Sequence, residues 1–219
     1  AVVAGAKYDT KIKPLSAIYE KVDRVMLGGV IYNTYLCAKY KVKIKGVTDE
    51  DIAFARELVE KDRTYKKIVE FPAIVESDIM AGRIEGKYRT ISIKDFKSGG
   101  SYGYILDIDP KSFEDKAVAE AIGTAKTIFV NAVMGYTPHF AAGSQALDNT
   151  IDLNRDAMKM YGGGDTLQRW PPDEVGAVIE THDPVEADFE GVRLLVHIVA
   201  VEQQRCFQAQ GVARAEAAG

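Results

Sequence analysis

The residues of this sequence with the clearest chemical potential are those suited to a phosphate-bearing ligand. Lys7 and Lys11 follow Gly5 at an i, i+4 spacing, which puts both ammonium groups on one side of an opening helical turn. Two such cations could neutralise the oxygens of a transferring phosphoryl group; the same spacing, with Lys13 nearby, also describes a solvated lysine-rich face. Strand-like segments at residues 1–4, 25–27, 127–130 and 157–161 run into Gly5, into Gly28 and Gly29, into Asn131 with Gly135 beyond it, and into Gly162, Gly163 and Gly164. Glycine admits positive φ and close backbone approach, so successive N–H groups can converge on an anion at a helix N-terminus. A glycine after a strand is also simply how the chain turns into a helix, and only the recurrence of such turns at one edge favours a phosphate site. Asp165 could hold a magnesium ion and Thr166 could contact phosphate, although an aspartate after a glycine turn is equally a helix N-cap.

Other candidates carry less. Neither G-x-x-x-x-G-K-[ST] nor G-x-G-x-x-G occurs. His139 follows Pro138 in an expected loop, His197 lies inside an apolar run, and with His182 the three histidines form no Ser, His, Asp arrangement and no zinc spacing. Asp107 and Asp109 fall on one face of a strand end, readable as a cation site or as a turn with a helix cap, and the second reading is preferred. Cys37 falls on an apolar helix face and is expected in the core.

The elements that would position these groups alternate. Leu15, Ile18, Tyr19 and Val22 recur at helical spacing, as do Ile31, Tyr32, Tyr35 and Leu36 behind the Gly28 turn. Thr48 followed by Asp51 resembles a capping box, opening an amphipathic helix through Ile52, Phe54, Ala55, Leu58 and Val59 to the charged run at 60–63. Residues 68–71, 74–76 and 104–108 read as strands, and 82–103 as an irregular hairpin region with a loop KSGGSYG at 97–103. Pro110 suits a first helical turn, and Phe113, Ala117, Val118 and Ile122 continue a helix to Gly123. This alternation implies an α/β fold: three layers, with a mostly parallel, Rossmann-like sheet and helices on both faces. Ligands of such sheets bind beyond the carboxyl ends of the strands. Residues 192–201 read as one apolar strand, and 211–219 as an alanine-rich tail.

Composition narrows the classes. Of 219 residues, 28 are Lys or Arg and 32 are Asp or Glu, and the resulting net charge of −4 argues against a general polyanion binder, so no nucleic acid is expected. No apolar run reaches the roughly 18 residues of a membrane-spanning helix. Cys37 and Cys206 are too few for a disulfide framework, which favours a reducing compartment. The chain opens on a strand-like segment and is expected to be a fragment or processed product.

Taken together, these pieces resemble the C-terminal, nucleotide-binding domain of phosphoglycerate kinase. GAKYDTKI at 5–12 is similar to that family's G-G-A-K-V-x-D-K-I, and LGGVIYNTYL at 27–36 to its G-G-G-M-A-x-T-F-L. LDIDPKS at 106–112 resembles D-I-G-P-K-[ST], AKTIFVNAVMG at 125–135 resembles A-K-T-I-x-W-N-G-P-M-G, and GGGDT at 162–166 equals the family's G-G-G-D-[ST]. The likeness covers residues 1–168 as a nucleotide-binding domain and leaves 169–219 as a divergent C-terminal segment. Departures are Ala4 for the first glycine, Asp109 for the glycine of D-I-G-P, Ala132 and Val133 for Gly-Pro, and Pro138 at the family's ribose-binding glutamate; the later S-T-G-G-G-A turn has no counterpart.

The resemblance implies ADP or ATP, carried with Mg²⁺, bound through Gly5, Lys7, Lys11, Gly28, Gly29, Asn131, Gly162, Gly163, Gly164, Asp165 and Thr166. Lys7 and Lys11 would act on the transferring phosphoryl group and Asp165 on the metal. It implies a glycolytic phosphotransferase, cytoplasmic or in an organelle, needing an N-terminal phosphoglycerate-binding domain or a protein partner. Because phosphoryl transfer depends on positioning and electrostatics, half a cleft is expected to be inactive alone. The alternative is a degenerate kinase-like domain kept as a structural or interaction subunit.

Overall fold

The computed structural model describes residues 1–5, 12–83, 85–131, 133–137, 139–162, 185–189 and 192–196. Strand β1 (Val2–Gly5) is followed by α1 (Ile12–Lys21), β2 (Met26–Gly28) and α2 (Gly29–Tyr40). The strands pair in parallel, Val3 beside Leu27 and Ala4 beside Gly28. After β3 (Lys43–Ile44), α3 (Asp49–Tyr65) opens on Thr48, whose hydroxyl oxygen accepts the Asp51 N–H at 3.1 Å, the cap that the sequence spacing anticipates.

The middle of the chain builds a second, antiparallel sheet. Here β4 (Ala73–Ser77) lies between β5 (Tyr88–Ser92) and β7 (Tyr104–Ile108), while the two-residue β6 (Ser101–Tyr102) joins β3 in parallel. The expected hairpin within 82–103 therefore does not form, because both of its strands take partners from earlier in the chain. Residues 68–71 are not a strand either. Ile68 makes a single bridge to Val25, and Phe71 is apolar because it is buried, with its carbonyl accepting the Tyr32 hydroxyl.

The helix anticipated from Pro110 onward is divided. Pro110–Glu114 form a 3₁₀ turn capped by Asp109, and Asp115 caps a fresh helix, α4 (Lys116–Gly123). Next come β8 (Thr127–Asn131), α5 (Ala142–Leu153), which periodicity does not reveal, and β9 (Met158–Tyr161). Farther along, β10 (Val185–Phe189) pairs antiparallel with β11 (Val192–Val196). The expected strand at 192–201 is thus seen to Val196, and the rest lies outside the described residues.

The main sheet has four parallel strands in the order β2-β1-β8-β9, and five helices occur among the described residues. The chain leaves β1 in one direction and returns past it in the other, so right-handed crossovers put α1 and α2 on opposite faces. Burial agrees, because successive residues of a strand face opposite sides and Val2, Val3 and Ala4 are all buried. On β8 only one side is closed: Ile128 and Val130 are buried while Thr127 is exposed and Phe129 half-buried. The core continues through Leu27, Ile31, Tyr32, Leu36 and Phe71, with Phe113 tilted on Phe71.

Candidate functional site

All four strands of the main sheet run the same way, so their carboxyl ends share one edge. Gly5 bridges Gly29, Asn131 lies beside Val3, and Gly162 donates its N–H to the Val130 carbonyl at 2.9 Å. Thus Gly5, Gly28, Gly29, Asn131 and Gly162 come together as the sequence anticipates. Lys7, Lys11, Gly163, Gly164, Asp165 and Thr166 lie outside the described residues, as does Pro138.

Packing accounts for some of these glycines. Gly29 has φ +58°, and a Cβ there would stand 2.8 Å from the Gly5 carbonyl oxygen. A Cβ on Gly28 would press on Ala4 and Met134. Gly162 differs: among the described residues an added Cβ would meet Phe129 alone, at an ordinary 3.5 Å.

Gly135 occupies another position. It lies beyond the strand end, in a turn packed on Asp107 and Phe140, where a Cβ would overlap the Phe140 carbonyl oxygen. The turn is hung from two neighbours, with the Tyr136 N–H on the Leu106 carbonyl at 2.7 Å and the Met134 N–H on the Ser144 hydroxyl at 2.9 Å.

The two aspartates at the end of β7 are committed within the protein. Asp109 caps the 3₁₀ turn through Lys111 N–H and accepts the Thr90 hydroxyl. Asp107 accepts the N–H groups of Ile108 and Gly143, and burial pushes its carboxyl up to about 6, with these bonds and Arg83 pulling weakly the other way. The turn-and-cap reading of this pair therefore fits. No group of three or more His, Cys, Asp or Glu able to hold a metal occurs among the described residues. His139 is exposed in its turn beside Tyr136, and Cys37 is buried as expected.

A groove of about 940 Å³ opens elsewhere, at the amino ends of the same strands. Ala1, Arg24, Lys126, Glu120 and Phe129 line it, with charges of both signs and no converging polar set. No helix of the described residues is long and apolar enough to cross a membrane.

Parallel strands whose glycine-bearing turns share one carboxyl edge, with helices packed on them, define an α/β domain. The family model for phosphoglycerate kinase matches residues 1–172, and the chain belongs to the phosphoglycerate kinase family. Phosphoglycerate kinase of Haemophilus influenzae (strain PittGG) is 32% identical over 170 residues, covering 76% of this chain and 41% of that protein. The solved phosphoglycerate kinase of Coxiella burnetii superposes with a TM-score of 0.65 at 27% identity, over 76% of this chain and 42% of its own. That of Pyrococcus horikoshii OT3 shares the fold, with a TM-score of 0.53 at 22% identity, over 77% of this chain and 43% of its own. The chain thus spans about two-fifths of the length of these relatives.

Sequence reasoning missed the link from Asp107 to Gly143. The signal was present in Gly143, a glycine with no strand end to explain it, but nothing local ties it to Asp107.

Proposed function

We propose that this chain is the C-terminal, nucleotide-binding domain of a phosphoglycerate kinase, divergent from or incomplete relative to the family pattern. It binds MgADP or MgATP at the glycine edge through Lys7, Lys11, Asn131 and residues 162–166. In the complete enzyme the reaction is reversible phosphoryl transfer between ATP and the carboxylate of 3-phosphoglycerate.

The observation that carries this reading is the shared carboxyl edge of the parallel sheet, where Gly5, Gly29, Asn131 and Gly162 meet and from which the segments bearing both lysines and Asp165 depart. Backbone N–H groups at such an edge suit phosphate oxygens, and the lysines supply positive charge against the transferring group. By resemblance Asp165 would hold the magnesium ion of the nucleotide, which would neutralise phosphate charge. The acceptor and the closing of the cleft come from an N-terminal domain or a partner chain.

Calorimetric titration with MgADP tests the reading, with Lys11→Ala as the control. Saturable binding that the variant weakens at least tenfold supports it. No heat and no thermal stabilisation at millimolar nucleotide would overturn it and favour a kinase-like fold kept for its surfaces, a reading to which the replacements at Asp109, Ala132 and Pro138 lend support.

A further inference from the structure

Helix α5 begins without a cap of its own. Ala141 occupies the N-cap position and offers no side-chain acceptor, so the first N–H groups of the helix need one from elsewhere. Asp107, at the end of β7 and only 2% exposed, supplies it: one carboxylate oxygen accepts the Gly143 N–H at 3.1 Å and the other the Ile108 N–H at 2.9 Å. Two glycines make the space. A Cβ on Gly135 would stand 2.5 Å from the same carboxylate, and one on Gly143 would overlap it.

The connection continues from the helix to the glycine edge. Ser144, next to Gly143, accepts the Met134 N–H at 2.9 Å, and Met134 is buried with its sulfur against Gly28. A side chain on β7 therefore reaches the turn after β2 through one helical turn and one methionine. The hydrogen bonds are buried and the methionine is packed, and close-packed interiors transmit position.

We infer that Asp107 is a positioning residue for the glycine edge: by capping α5 from the neighbouring sheet it fixes the turn behind Asn131 and seats Met134 on Gly28. Its effect on ligand affinity rests on the nucleotide reading above; the mechanical part does not. A carboxylate is suited to the task because it accepts two N–H groups at once and its charge complements the positive end of the helix. Asparagine would keep the shape but present an N–H₂ group to one of those donors.

Amide hydrogen exchange on the whole chain, with and without Asp107→Asn, tests this. In the wild type, peptides covering residues 133–137 and 142–145 should exchange as slowly as those of β8; exchange at the rate of an unstructured peptide would overturn the inference without any variant. In Asp107→Asn the same peptides should exchange at least tenfold faster while β1 and β2 keep their wild-type rates. A uniform acceleration would reveal a purely global role and sink the idea, as would no change. MgADP affinity should fall at least fivefold in the variant, and an unchanged affinity despite local opening would refute the positioning role. A wild type that takes up no MgADP defeats the nucleotide reading instead, and the exchange pattern still decides the mechanical claim.

Discussion

Met134 places its sulfur 2.9 Å from the point that a Cβ on Gly28 would occupy, so the turns after β2 and β8 share one packing volume. The same Cβ would stand 2.8 Å from the Ala4 Cβ. Gly28→Ala should destabilise the fold by about 1–3 kcal/mol through overpacking, read as a lower urea midpoint. Adding Met134→Ala should recover part of that loss, and strictly additive effects would show that the two residues do not share the space.

Gly29→Ala meets backbone rather than a pliable side chain. Its φ is +58° and the Cβ would press on the Gly5 carbonyl oxygen at 2.8 Å. The expected cost is about 1–3 kcal/mol, with no rescue by Met134→Ala. A midpoint equal to the wild type would contradict the close approach of β1 and β2.

Asp107 should leave a signature in the pH dependence of stability. Burial raises its folded-state value to about 6, above the ordinary 3.8, so the folded protein binds the proton more readily than the unfolded chain. The contribution of this group therefore improves as pH falls from about 6 to about 4, by up to roughly 1.4 kcal/mol per pH unit, and is flat on either side. Arg83 is the charged group opposing the shift. Glu20, held low by Lys61, slopes the other way but is common to both proteins, so the readout is the difference between wild type and Asp107→Asn. Parallel curves between pH 4 and 6.5 would disprove the assignment.

Tyr19 joins α1 to the end of α3. Its hydroxyl donates to Asp62 at 2.7 Å, and the same carboxylate oxygen accepts the N–H groups of Lys67 and Ile68 at 2.8 and 2.9 Å. Tyr19→Phe should cost about 1–2 kcal/mol in thermal unfolding, and Asp62→Ala more, because it strands three donors. Equal melting temperatures for wild type and Tyr19→Phe would show that the bond contributes nothing.

Cys37 should be inert in the folded state. It is 3% exposed, and burial pushes its thiol up to about 11. A thiol reagent at pH 8, followed by peptide mapping, should modify Cys37 only after denaturant is added. Rapid labelling of the native protein would indicate that α2 opens readily.

Strands β1, β2 and β8 of the glycine edge were legible because each is an apolar run stopped by a turn residue, and α3 because Thr48 and Asp51 mark its start locally. Helix α5 was not, since its cap comes from Asp107, far away in sequence, and its first turn carries Gly143. The antiparallel sheet was half legible: β4 and β7 read as apolar strands, but which strand pairs with which depends on contacts between distant segments. Phe71 shows the limit of pattern reading, because an apolar run signals burial without saying whether a ladder or a loop is buried. The lysines and the final glycine-aspartate turn were read from sequence likeness, and their geometry lies outside the described residues.

The order of the main sheet also governs how the chain can fold. Strand β1, at residues 2–5, lies between β2 and β8, and its pairing sets Val2 beside Val130. The unit β1-α1-β2 closes over a short loop, whereas the centre of the sheet cannot be completed until the chain through β8 has been made and brought back. Closing so long a loop is entropically expensive before any contact compensates it, so folding should be slow for the size of the domain. During synthesis one side of β1 remains unpaired for most of the chain's length, and protection of that exposed edge is then a requirement of assembly, separate from any role of the finished domain.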